Sequence, residues 1–189
     1  MIDNFKLLRD KLVFKNNEWF YYIEVIQRKK DGNKVLNSSN KQRRITSFYI
    51  SSLEEYDKQE QMIKEFCDKF NARAYIRITP CSWETVALSS SIRFLKRIED
   101  GNVYKVHNIF DSECCTTKSP LKKLWLIDSD TKEELKLDPR IIVLYEVPTN
   151  QGIHYIVYPF DKRIYKEDNL KTSNPLTLLY YNEKVSNNM

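Results

Sequence analysis

Two short stretches of this chain carry side chains able to do chemistry together. In Leu124-Trp125-Leu126-Ile127-Asp128-Ser129-Asp130, an apolar run leads straight into two carboxylates. The run is too short for anything but a buried strand. Residues i and i+2 of a strand share a face, so Asp128 and Asp130 should point the same way. Like charges held close repel unless a cation sits between them, and a divalent metal suits that place. The structural alternative is a strand ending in an Asx turn. The second stretch is Gly152-Ile153-His154, at the start of the strand 153–158. Its glycine would let a backbone or a phosphate approach closely, and His154 could hydrogen-bond a phosphate oxygen. The alternative for His154 is a satisfied strand histidine. Asp161 follows that strand, either as a cap or as a third carboxylate.

The order of elements must bring these stretches together. Residues 3–14 read as a short amphipathic helix, 19–27 as a strand, 45–50 as a second strand and 72–79 as a third. Ser51-Ser52 before Glu54 and Glu55 predicts a capped helix to about Phe70. Residues 82–98 read as a helix ended by Gly101, 103–110 as a weaker helix, and 111–120 as a loop. From Leu121 onward the pattern is nearly all strand: 123–128, 141–147, 153–158 and 176–181. The expectation is one catalytic domain, 1–189, with an α/β unit over 1–120 and a β-rich unit over 121–189.

The 189 residues suffice for a sizeable core, and a net charge of +5 permits a polyanionic partner without demanding one. Cys67, Cys81, Cys114 and Cys115 lack C-x-x-C spacing, which points to a reduced, cytoplasmic protein. No leader and no membrane-spanning run is visible. The three glycines cannot build a P-loop or a dinucleotide fingerprint. The segment 28–44 is rich in Lys and Arg and reads as a solvated hairpin loop or as a basic arm over a phosphate backbone. Arg43 and Arg44 within it, and Arg93, Lys96 and Arg97 late in the 82–98 helix, are candidates for single-stranded nucleic acid.

In this order, D-x-D at a strand end and then Gly-x-His on a later strand resemble the first two motifs of the archaeo-eukaryotic primase superfamily. The runs 148–161 and 174–180 also look like its small phage-encoded members. The resemblance implies an α+β fold, with an N-terminal α/β unit packed on a C-terminal RRM-like antiparallel sheet and the active site in the cleft between. It implies metal-dependent nucleotidyl transfer, with primers made on a single-stranded DNA template from nucleoside triphosphates. Asp128 and Asp130 would hold Mg²⁺ or Mn²⁺. Phe160-Asp161 would supply the third ligand, with Asp168 as a substitute. Gly152, His154 and Arg77 would meet the triphosphate. A replicative helicase or polymerase would be the partner, in the host cytoplasm if the gene is a phage's. The competing expectations are a catalytically silent nucleic-acid-binding protein, a two-metal nuclease, and a structural protein without an active site.

Overall fold

The computed structural model describes residues 1–32, 41–104, 106–131, 133 and 135–183. In chain order the elements are β1 (Ile2–Asp3), α1 (Phe5–Arg9), β2 (Trp19–Arg28), β3 (Gln42–Ile50), α2 (Leu53–Phe70), β4 (Arg73–Arg77), β5 (Cys81–Ser82), α3 (Trp83–Glu99), α4 (Ile109–Thr116), β6 (Trp125–Ser129), β7 (Val143–Pro148), β8 (Ile153–Val157), β9 (Leu170–Lys171) and β10 (Leu176–Tyr181). The fold is α+β, and every described strand pair is antiparallel. One sheet runs β1-β10-β4-β2-β3, with β5 added beside β2, and the other runs β7-β8-β6-β9.

The central strand of the first sheet explains its two cores. Tyr21, Ile23 and Val25 of β2 lie in the core that includes Tyr56, Ile63 and Cys67 of α2. Phe20 and Tyr22 alternate to the other face and pack with Val86 of α3 and Cys114 of α4. A strand covered on both faces loses the polar alternation of a surface strand, as β2 does. Helix α2 starts where the sequence predicts. Ser52 accepts from the Glu55 amide at 3.0 Å, and Glu55 reaches back to the Ser51 amide at 2.7 Å. Such a cap contributes about 1 kcal/mol. Asn71, at φ 46°, ends the helix in the left-handed region.

The second sheet splits its residues in the same way. Trp125, Ile127, Tyr155 and Val157 form a separate core with Ile141. Leu126, Ile156 and Val147 point oppositely and join the core of the first sheet. Buried Asn4 ties the two sheets, donating at 2.9 Å to Pro148 O of β7 and at 2.9 Å to Leu178 O of β10.

Four expectations change. The strand 176–181, grouped by sequence with the second half, lies in the first sheet between β1 and β4. The first helix stops at Arg9 rather than near 14. The weak helix expected at 103–110 is displaced to α4, on residues read as a loop. Its Ser, Cys and Thr content gives little helical propensity, and tertiary bonds hold it instead: Arg93 to Ser112 Oγ at 2.8 Å and Tyr49 to Asp111 Oδ1 at 2.7 Å. The basic arm is partly structured, with Arg43 and Arg44 inside β3, while its residues 33–40 lie outside the described residues. Among the described residues, no helix is long and apolar enough to cross a membrane.

Candidate active site

Strand β6 places Leu126 and Asp128 on one face, so the apolar end packs inward and the carboxylate sits where the core gives out. In the β6–β8 register Asp128 lies directly opposite His154. Their side chains meet: His154 Nε2 is 3.0 Å from Asp128 Oδ1. The other ring nitrogen, Nδ1, lies 2.9 Å from Thr177 Oγ1 of β10. The imidazole therefore bridges the two sheets. Nε2 faces a carboxylate and must carry a proton, and the Thr177 hydroxyl satisfies Nδ1 in either charge state of the ring. Lys171 of β9 donates to Asp128 Oδ2 from the other flank.

These contacts fix the charge of Asp128. The His154 hydrogen bond holds its carboxyl well below the usual range, burial opposes the shift, and the Lys171 hydrogen bond adds to it. The Asp-His-Thr line has the shape of a nucleophile relay, but Thr177 is 0% exposed. Its hydroxyl is closed to substrate, so it orients the ring.

The Asp128 carboxylate opens into a pocket of about 200 Å³ between the sheets. Asp130 lines it too, so the D-x-D pair shares one pocket, as i and i+2 spacing requires. Across from the acids stand Arg28, Lys30 and Arg73, with Lys171 alongside. Burial first, then repulsion from Arg28 and Arg73, lowers the ammonium pKa of Lys30, the mark of a wall crowded with cations. Arg73 is steadied by a two-pronged pair with Asp31, at 2.7 and 2.5 Å. A pocket with more cations than carboxylates suits an anion with several charges.

Gly152 matters for room. Its φ is not positive, but a Cβ there would lie 2.0 Å from Ser129 O and 2.8 Å from Thr131 N. The close approach expected at this glycine is that of the backbone that carries Asp128 and Asp130.

Other candidates stand elsewhere. Arg77 shares β4 with Arg73 but does not line this pocket. It is 0% exposed and donates to Cys114 O at 2.5 Å, Thr117 O at 2.9 Å and Asn174 Oδ1 at 2.7 Å. It anchors α4 and the following turn rather than a triphosphate. Asp161 is exposed, pairs with Arg163 at 2.5 Å and caps the short turn after β8, so it is not a third ligand in this pocket. Arg44 binds Asn108 Oδ1 at 2.7 Å and Asp111 at 3.1 Å, Arg93 pairs with Glu113 at 2.7 Å, and Arg97 donates to Tyr104 O at 3.0 Å. These three hold the α3–α4 region together, whereas Arg43 is exposed at its place in β3. His154, expected to touch phosphate, is 6% exposed with both ring nitrogens engaged; it positions Asp128.

Sequence reasoning missed Lys171, Thr177 and Arg73, and held Arg28 and Lys30 only within the basic arm 28–44 without singling them out. Thr177 had a signal, as a lone hydroxyl in the apolar run Leu176 to Leu179. Among the described residues, no group of three His, Cys, Asp or Glu side chains is arranged to hold a metal. The donors present are two carboxylates, a set that fits Mg²⁺ or Mn²⁺ when phosphates and waters complete the shell. Comparison with protein-family models, with curated proteins and with solved structures finds no match.

Proposed function

We propose that this pocket is the active-site cleft of a metal-dependent nucleotidyltransferase of the archaeo-eukaryotic primase type, with the sheet β7-β8-β6-β9 as its RRM-like unit. The observation that carries the reading is the pairing of Asp128 and Asp130 with Arg28, Lys30, Arg73 and Lys171 around one small pocket. Hard oxygen donors beside several cations suit a divalent ion and a polyphosphate together. The placement of D-x-D and Gly-x-His on adjacent antiparallel strands also supports it.

In this reading Asp128 and Asp130 hold the ion. His154, pinned by Thr177, keeps Asp128 ionised and aimed. Arg28 and Lys30 bind the phosphates of the incoming nucleotide, while Arg73, buried and already paired with Asp31, adds positive charge behind them. The bound metal would supply activation of a 3′-hydroxyl and charge neutralisation on the leaving pyrophosphate. Arg43 and Lys96, both exposed, are the remaining candidates of the five for contact with the template strand.

The test is primer synthesis on single-stranded DNA with ribo- or deoxyribonucleoside triphosphates and Mn²⁺. Product formed by the wild type and lost in Asp128→Ala and Asp130→Ala supports the reading. A second reading, a silent nucleic-acid-binding protein of the same fold, draws on one specific observation: both Asp128 oxygens already have partners. Binding of single-stranded DNA without product selects it. Absence of both nucleotide and DNA binding overturns both.

A further inference from the structure

We propose that Lys171 is a built-in counter-cation of the carboxylate pair: a divalent ion displaces it from Asp128, and it then binds the phosphate of the nucleotide. This rests on the reading of the pocket as a metal and triphosphate site.

Asp128 has two cationic or proton-donating neighbours, and they differ in freedom. His154 is buried and held from behind by Thr177. Lys171 comes from a strand of two residues, β9, and half of its side chain is exposed. Its Cα pairs with Leu126, so the stem runs diagonally along β6 to reach Asp128 Oδ2. An ammonium there stands where a metal would, on an oxygen a metal needs. It also has a second place to go. Lys171 lines both the carboxylate pocket and an adjoining cavity of about 450 Å³ bounded by Thr172, Ser173, Asn174 and Pro175. Moving a half-exposed lysine strands no buried charge, which a buried histidine could not avoid.

Two competitions follow. Metal and Lys171 compete for Asp128, and Asp128 and triphosphate compete for Lys171. Each ligand thus frees the partner the other needs, so their binding is coupled in both directions.

The experiment is titration of Mn²⁺ alone, followed by its paramagnetic resonance signal, into folded wild type, Lys171→Met, Lys171→Arg and Lys30→Met. A unit charge lying about 4 Å from a divalent ion alters its affinity roughly tenfold to thirtyfold, less in salt. Lys171→Met should tighten Mn²⁺ by about tenfold or more. Lys171→Arg keeps the charge and should not tighten it. Lys30→Met removes a pocket charge that is not on Asp128 and should change affinity less than about threefold. A Lys171→Met affinity within twofold of wild type overturns the proposal. So does an equal gain from Lys30→Met, which would assign the effect to the general field of the pocket. Absence of Mn²⁺ binding in wild type and Lys171→Met alike, with and without a nucleoside triphosphate, overturns the metal reading of the pocket itself.

Discussion

Substituting Gly152 by alanine tests the construction of the site most directly. The added Cβ would lie 2.0 Å from Ser129 O, where ordinary contact begins near 3.4 Å. The second and third nearest atoms, at 2.8 Å, are also backbone, the N and O of Thr131. No rotamer can relieve such a clash, so the strand ends of β6 and β8 must part by more than 1 Å. Overpacking of this kind costs about 1–3 kcal/mol, and backbone against backbone belongs at the upper end. For a chain of this size about 3 kcal/mol lowers Tm by roughly 6–12 °C. The displaced segment is Asp128-Ser129-Asp130, so Mn²⁺ affinity should fall in the fraction that remains folded. Calorimetry and Mn²⁺ titration of Gly152→Ala measure both. Gly32→Ala is the control: it has φ +80° but open space around the added atom, so it should destabilise modestly and leave the metal alone. An unchanged Tm in Gly152→Ala would refute the close-approach argument.

Three other substitutions separate structural from functional roles. Arg77→Met removes three hydrogen bonds from the guanidinium to Cys114 O, Thr117 O and Asn174 Oδ1; at about 1 kcal/mol apiece, it should cost roughly 3 kcal/mol, while nucleotide affinity in the folded protein stays as in wild type. A loss of nucleotide affinity at unchanged stability would instead restore Arg77 to the triphosphate. Thr177→Val removes the hydroxyl behind His154 and should cost about 1–2 kcal/mol in urea unfolding, with weaker Mn²⁺ binding as Asp128 loses its aim. Because the folded-state pKa of Asp128 is depressed, its contribution to stability is complete above the unfolded value near 3.9 and is lost as pH falls below it. Asp128→Asn should therefore flatten the acid limb of the stability curve below about pH 4; an unchanged acid limb would contradict the ion pairs drawn around this carboxylate.

Local pattern was enough to place some of this architecture. The N-terminal cap of α2, the strand of Leu176 to Tyr181, and the shared direction of Asp128 and Asp130 all follow from rules acting over a few residues. Periodicity tells which face a side chain takes but not what covers that face. Arg73 and Arg77 share one face of β4, as the period of two requires, yet one meets the pocket and the other is roofed by α4, a helix with no helical signature of its own. Lys171 escaped because a strand of two residues has no period to read. Its neighbour in space, Asp128, is 43 positions away. The same distance problem hid the insertion of β10 between β1 and β4. That pairing joins Leu176 to Arg77 and Tyr181 to Ile2, contacts decided by the whole topology.

The insertion of β10 also determines how the site can behave. Thr177 lies on a strand flanked on both sides by partners, and it fixes His154, which in turn fixes Asp128. The carboxylate is thus referenced to the first sheet although it belongs to the second. Loosening the junction of the sheets would disturb the site, because the buried imidazole and the Asn4 amide bond across it beside the apolar contacts of Leu126, Ile156 and Val147. Lys171 stands outside that rigid line, on the shortest strand and half in solvent. A fixed acid beside a movable base is the division of labour that the proposed exchange of an internal cation for an external one would require, since a bound ion would need a geometry that does not relax and the lysine somewhere to go.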